Sequence, residues 1–470
     1  MIRSLFLVHR YLGIAVGLPM VMWCLSGVVM MYVGYPDLSE HTRLRHLAPM
    51  DWSGCCKISD DALPGDALVK EAQIEMLVNR PVLRLRTATE SRLVDLSTGR
   101  VIDRVSPEEA AQVAQTYIEG PAIAAPHSLG SIDHDQWTVS GTFRADRPLY
   151  HFGLNEGAEL YISSTMGRAV QMTTTRERFW NWLGAIPHWL YFTELRAQPL
   201  LWSNVVVVTS LMGCFLSAIG LYIGVTQFIH RPVGRWSPYK GLNRWHHIAG
   251  LVFGVLVLSW IASGFLSMNP WGWLEGEGAE AESNRLRGNP RAAAVDLAGG
   301  LAALARLHPP GIVSVKIAPL AGRLYFIGTT DDDERRRFNV NAAPAALYGA
   351  DLDYIEAVLG GTDASPVLLM TEEDSYYFSH HRDIVRLPVY RMIRTDGTRY
   401  YLDAVSGALI AKMDRGARGY RWFHQALHRL DFSAALRERP QWDALMLLLM
   451  SGVTALCVTG AYLGYRRVTR

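Results

Sequence analysis

The amino-acid sequence predicts a membrane α+β protein, with four transmembrane helices as two parallel repeats and one large α+β segment per repeat on the outer side of the membrane. Three observations predict it. First, charged side chains are absent from Tyr11 to Pro36, from Ala197 to Ile229, from Trp245 to Leu274 and from Ala444 to Tyr465, and each stretch reaches the ~20 residues needed to cross a hydrocarbon core. Second, the chain matches itself. His9-Arg10-Tyr11-Leu12-Gly13 superposes on His246-His247-Ile248-Ala249-Gly250 at a shift of 237 residues (246 − 9), which also pairs Gly17 with Gly254, Trp23 with Trp260 and Ser26-Gly27 with Ser263-Gly264. A shift of 240 (428 − 188) pairs Trp182 with Trp422, His188 with His428, Trp202 with Trp442, Gly220 with Gly460, Tyr222 with Tyr462 and Gly224 with Gly464. Matches at nearly one shift along the whole chain mark an internal repeat. Third, Arg3, Arg10, Arg231, Arg235, Lys240, Arg244, Arg466, Arg467 and Arg470 all fall on one side of the four spans. The positive-inside rule makes that side cytoplasmic.

The elements follow in order. The first helix lies within 1–36; it is long, lacks a small-residue cleavage site and has a partner in the third helix, so it reads as a retained span rather than a signal peptide. Residues 37–196 are an outer domain with an amphipathic helix. Within it, Ser106-Pro107-Glu108-Glu109 is an N-cap with an acidic first turn, which starts a helix over Ala110 to Ile118. Alternation predicts strands at Pro148 to Leu154 and Glu159 to Ile162, with a turn at Thr165-Met166-Gly167. A similar ending at Val94 to Val101 predicts a further small unit. The second helix is 197–230, the cytoplasmic linker 231–244 and the third helix 245–270. Residues 271–441 repeat the outer domain and amphipathic helix, with strands at Val389 to Ile393 and Arg399 to Leu402 around a turn at Asp396-Gly397, then a third strand by Ile410. Gly276 to Asn289, rich in Gly, Glu and Ala, reads as a flexible linker. The fourth helix and a cytoplasmic tail complete the chain at 442–470.

Composition sets bounds. A chain of 470 residues with 49% hydrophobic and 19% charged residues is too large for one domain and apolar for a soluble protein. A formal net charge of +2 gives no footprint for nucleic acid. Cys24, Cys214 and Cys457 lie in spans, where small buried thiols are expected. Cys55 and Cys56 face the outer side, but sequence neighbours rarely bridge each other. The absence of Cys-x-x-Cys-His excludes covalent c-type haem attachment. No nucleophile with a base, phosphate loop or nucleotide fingerprint is present.

Histidine carries the chemistry. His9 and His246 open two spans, and His188 and His428 precede the other two. Ionisable residues at membrane depth usually mark function, and haem iron accepts one axial nitrogen from each side. Two matching pairs therefore predict two haem b groups, held by His9 with His246 and by His188 with His428. The residues leave open whether each pair joins the two halves or lies within one. A boundary histidine also has a plain interfacial reading beside Trp and Arg. His424 and His247 are weaker metal candidates: His424 stands four residues before His428, where the first copy has Gly184. Gly13, Gly17, Gly250 and Gly254, with the two Ser-Gly pairs, permit close approach of a macrocycle or another helix. Trp180, Trp182, Trp189, Trp202, Trp271, Trp273 and Trp442 fit an aromatic belt. Asp374-Ser375-Tyr376-Tyr377-Phe378-Ser379-His380-His381 is either a contact for a ferric chelate or transient metal, or a strand with a satisfied polar edge.

Units ending in Tyr400-Tyr401-Leu402-Asp403-Ala404-Val405-Ser406-Gly407 resemble PepSY domains. Spans carrying His9-Arg10-Tyr11-Leu12-Gly13, Leu25-Ser26-Gly27, Trp245-His246-His247 and Leu427-His428-Arg429 resemble the PepSY-associated transmembrane family over nearly the whole chain. That resemblance implies two PepSY-like α+β periplasmic domains, and His9, His188, His246 and His428 as ligands of b-type haem. It also implies an oxidoreductase of the bacterial inner membrane, similar to ferric-siderophore reductases and in contact with membrane lipid, with both termini cytoplasmic. Electrons would come from a quinol or a cytoplasmic flavoprotein and pass to a periplasmic acceptor such as a ferric siderophore. The alternatives are a non-enzymatic, membrane-anchored PepSY binding or regulatory protein, and a metal-handling transporter, for which spans without carboxylates offer little ion pathway.

Overall fold

A computed structural model of the chain describes residues 2–59, 62–63, 69–87, 90–118, 125–288, 290–360, 364–381 and 384–469. Asn289 and Arg470 lie outside the described residues. Four helices are long and apolar enough to cross a membrane: Ile2–Tyr32, Pro199–Ile229, Gly241–Ser267 and Gln441–Val468, the first to fourth spans below. The first span packs on the second and fourth, and the third packs on the same two. The first and third therefore occupy one diagonal of the bundle. Small residues let the backbones approach: a Cβ on Gly17 would sit 3.5 Å from Ala461 Cα. Val16, Met20, Leu216, Val257, Met446, Met450, Val453 and Leu456 fill the middle of the bundle. Pro19 lies inside the first span.

Both long connecting segments build α+β structure. In one four-stranded antiparallel sheet, Leu149–Gly153, Glu159–Ser163 and Ala169–Thr173 follow His127–Ile132. In a second such sheet, Val389–Ile393, Arg399–Asp403 and Leu409–Met413 follow Leu368–Met370. The last three strands of the two sheets stand 240 residues apart (389 − 149), the shift of the sequence match. The Ser106 capping box forms with Glu109, so the helix begins at Pro107 and runs Pro107–Gln115, about a turn earlier than the apolar pattern indicates.

The remaining strands do not form two separate outer domains. Val69–Leu77, Arg80–Thr87, Ser91–Asp95 and Val101–Ile102 from the first half join Ile312–Leu320, Arg323–Thr330 and Arg335–Asn339 from the second in one seven-stranded sheet. The seam is antiparallel, with Gln73 opposite Lys316, Ile74 opposite Val315 and Glu75 opposite Ser314. Helix Pro290–Leu307 lays Leu297, Leu301 and Leu304 on this sheet. Beside the seam, Glu75 accepts from Arg43 at 2.7 Å and from Arg84 at 2.8 Å, while Gln73 Nε2 donates to Ser314 Oγ at 2.7 Å. Burial alone would raise the Glu75 pKa; the two guanidinium charges outweigh it and hold it below the ordinary range.

Three expectations need correction. Gly276 to Asn289 is not a structureless linker, because Glu280–Arg287 is a helix. Glu280 and Glu282 stand in its first turn and Arg285 and Arg287 in its last, which suits the helix dipole, and Leu286 is buried against the second-half sheet. Cys55 and Cys56 form a disulfide despite being adjacent, and both pack against the core of the seven-stranded sheet. The stretch 374–381 is not a strand. Asp374 Oδ1 accepts the amides of Tyr376 and Tyr377 at 2.8 Å each and Oδ2 accepts the Tyr401 hydroxyl at 2.7 Å, a loop clamp that competes with strand pairing. Asp135 does the same in the first half, accepting from Trp137 N at 2.9 Å and from the Tyr161 hydroxyl at 2.7 Å. Its recurrence in both halves marks Asp374 as structural.

Candidate functional site: two facing imidazole pairs

The histidines that precede the second and fourth spans sit on short, abruptly ended helices. His188 lies on Ala185–Trp189 and His428 on Leu427–Arg429. Each helix stops at a leucine in the left-handed region, Leu190 (φ 51°) and Leu430 (φ 54°), a conformation costly for a bulky residue and kept only where the surroundings enforce it. Those surroundings match in the two halves. Trp202 Nε1 of the second span donates to Trp189 O at 2.9 Å, and Trp442 Nε1 of the fourth donates to Arg429 O at 2.7 Å. Both indoles therefore tether a histidine-bearing turn to a span.

All four predicted ligands then meet in pairs. His9 faces His246 with ring centroids 6.4 Å apart, near the ends of the first and third spans that adjoin the short connection. His188 faces His428 at 6.1 Å, at the ends that adjoin the α+β segments. Each pair joins the two halves of the chain, which answers the pairing question left open by the sequence. Ser26 and Ser263 contact the second pair, so the pairs are separated by the 17 residues between His9 and Ser26 (26 − 9), or about 25 Å along a helix axis.

Hydrogen bonds fix the tautomers. His9 Nδ1 meets Leu216 O at 3.1 Å and His188 Nδ1 meets Trp23 O at 3.2 Å; a carbonyl only accepts, so both Nδ1 atoms carry the proton. Ser26 Oγ spends its own proton on Met22 O at 2.7 Å and accepts from His188 Nδ1 at 3.1 Å. Ser263 Oγ likewise donates to Trp260 O at 3.0 Å and accepts from His428 Nδ1 at 3.1 Å. Thr459 Oγ1 donates to Ala455 O at 2.8 Å and accepts from His246 Nδ1 at 3.1 Å. Among the described residues, no hydrogen bond occupies Nε2 of any of the four. In its neutral form each of the four imidazoles then presents a lone pair on Nε2, with Nδ1–H anchored as metal-ligating histidines require.

The spacing is that of a shared metal ion. Two nitrogens each about 2.0–2.1 Å from one ion place their ring centroids roughly 6 Å apart. Among the described residues no group of three or more His, Cys, Asp or Glu side chains is arranged to hold a metal ion. A pair supplies two ligands, and a porphyrin supplies the other four to iron. The residues present therefore fit a bis-imidazole haem at each end.

Glycines make the room. A Cβ on Gly220 would lie 2.6 Å from His9 Cε1, and one on Gly460 would lie 2.9 Å from His246 Cε1. The repeat match exposes both glycines but not this role, which only appears once the diagonal packing is known. Ser26 and Ser263 likewise stand out in the repeat match without their accepting role, and nothing in that match marks Thr459.

The two weaker candidates are placed differently. His247 Nε2 donates to Gly224 O at 2.9 Å and its ring contacts Tyr239 at 5.4 Å. His424 stands on a π-helical segment, Arg421–Ala426, donates Nδ1–H to Ser263 O at 2.8 Å and brings its ring within 5.5 Å of His428. It has no first-half counterpart for a packing reason: a Cβ on Gly184 would already be 3.0 Å from Val29 Cγ1. His380 Nε2 is held at 2.9 Å from the Arg429 guanidinium. Burial, then the charge of Arg429, pushes the His380 pKa down to about 4, so it is neutral and accepts.

Fold and site together define a multi-pass membrane protein with two facing imidazole pairs near the ends of its bundle. The chain belongs to the family described as the PepSY-associated TM region, whose family model matches residues 6–467. No curated protein matches the chain.

Proposed function

We propose that this chain is a bacterial inner-membrane dihaem b-type oxidoreductase. It is built as two parallel repeats, with both termini cytoplasmic and the α+β segments periplasmic. Electrons enter from a quinol or a cytoplasmic flavoprotein near His9 and His246 and leave near His188 and His428 for a periplasmic acceptor, foremost a ferric siderophore. The observation that carries the reading is the pair of ring separations, 6.4 and 6.1 Å, between histidines that all keep Nε2 free. Haem bound there would supply one-electron chemistry. The chain's own residues set its position: Leu216 O, Thr459, Ser26 and Ser263 orient the imidazoles, Trp202 and Trp442 hold the outer turns, and the apolar layer from Val16 to Leu456 keeps water from the space between. Releasing iron by reduction suits this arrangement, since Fe(II) binds hard oxygen chelators less tightly than Fe(III).

The test is the visible spectrum of detergent-purified protein, air-oxidised and then dithionite-reduced, with haem quantified per chain. A low-spin b-type spectrum near two haems per chain is expected. A colourless protein overturns the reading and favours the membrane-anchored binding or regulatory alternative.

A further inference from the structure

The two halves match at the histidines and differ at the mouth above them. On the first-half side, Tyr35 contacts Trp189 at 5.9 Å and Tyr191 at 5.4 Å, an aromatic wall. On the second-half side, Arg429 stands where the first half has Trp189, Arg437 where it has Ala197, and Arg421 where it has Asn181. Arg421 is buried and paired with Asp431 at 2.7 Å. The other two are not so used. Arg429, beside His428, is exposed and donates to His380 at 2.9 Å; Arg437 lies 4.0 Å over the Phe378 ring. Among the described residues neither lies within ion-pair distance of a carboxylate, although the charges of Asp431, Glu373 and Asp374 reach Arg437. Phe378 lies against Arg437 and against Arg421, the latter at 4.6 Å, and His380, two residues on, holds Arg429, so the loop at 374–381, the turn at His428 and helix Ala434–Arg437 adjoin one another.

We propose that Arg429 and Arg437 form a carboxylate-binding site at the periplasmic mouth, beside the His188–His428 pair, which receives an anionic ferric chelate. The proposal rests on the electron-transfer reading for its purpose but not for its chemistry. Two guanidinium forks with donors to spare recognise planar oxyanions bidentately, whereas a neutral chelate gains nothing from them. Their position next to a histidine turn places the ligand at the end of the proposed electron path. A porphyrin also carries carboxylates, so the haem itself is the second source of the same chemistry.

The experiment is equilibrium binding of gallium(III) citrate, redox-inert and anionic, and of a neutral gallium(III) hydroxamate, to the full-length protein in detergent, with haem content measured alongside. In the double variant R429Q/R437Q, citrate-complex binding is expected to weaken roughly ten- to a hundredfold, with a shallower salt dependence, while binding of the neutral complex and haem content stay constant. Equal binding of gallium citrate by both proteins, or none by the wild type, overturns the site. Loss of haem with unchanged citrate binding assigns the arginines to the haem carboxylates and overturns chelate docking. A colourless wild type whose citrate binding still depends on the two arginines keeps the site and sinks the oxidoreductase reading instead. If the double variant fails to fold, Arg437→Gln alone decides by the same titration.

Discussion

Gly220→Ala is the sharpest single perturbation of the His9–His246 pair. The added Cβ would lie 2.6 Å from His9 Cε1, whereas carbon atoms settle at about 3.5–4.0 Å. The His9 ring must therefore retreat by roughly 1 Å, and overpacking of this kind costs about 1–3 kcal/mol. Metal–ligand distances tolerate only about ±0.2 Å, so the displaced Nε2 can no longer share an ion with His246. Haem quantified per chain by its pyridine complex is expected to fall from near two to near one. The residual spectrum should be that of the His188–His428 site. Gly460→Ala, at 2.9 Å from His246 Cε1, should act in the same direction and less completely. Gly264→Ala, at 3.7 Å from His428 Cε1, should be silent. A Gly220→Ala protein with unchanged haem content and spectrum would refute the assignment of His9 as a ligand.

Other expectations concern the supports of the site and the fold. Ser26→Ala or Ser263→Ala removes one acceptor from His188 or His428 and should speed haem transfer to apomyoglobin about tenfold without emptying the site, since Trp23 O remains for His188. Trp442→Phe deletes the tether to Arg429 O and should cost about 1 kcal/mol in thermal unfolding, with the outer haem lost first. Glu75→Gln leaves Arg84 buried without its ion-pair partner, while Arg43 keeps Glu40 at 2.9 Å, and should cost about 3–5 kcal/mol in denaturant titrations. The Glu75 pKa is depressed in the fold, so its stabilisation is complete above the ordinary glutamate value and is lost as pH falls through the folded value. The wild type should therefore weaken with acid in that window, and Glu75→Gln should flatten that limb of the curve.

What was legible in the sequence has a physical cause. A span must exclude charge over its whole length, so the four helices stand out without any knowledge of packing. The histidine pairs were readable because duplication writes the same ligand twice, and a two-fold arrangement brings duplicates face to face. Pairings that depend on partners distant in sequence were not. The antiparallel contact of Ile74 with Val315 leaves no local mark, since an edge strand and a central strand carry the same alternation. The helix Glu280–Arg287 was masked by flanking glycines, although its charges are ordered as a helix prefers. The Asp374 clamp overrode a β-prone run of aromatic residues, and the first-half Asp135 was the available signal.

The strand seam between the halves has a consequence for biogenesis. Once Val69–Leu77 has been made it is an open sheet edge, and its neighbour Ile312–Leu320 will not exist until some 240 further residues have followed. With only the first half made, each imidazole pair also has one member, His9 or His188. A prematurely terminated product is therefore adhesive, with unpaired amides and carbonyls exposed where the sheet should close, and on the dihaem reading it would hold no haem. Two identical half-length chains could in principle close that edge and complete both ligand sets together, so the joined gene product keeps in one chain what a symmetric dimer of a simpler protein would need two encounters to achieve.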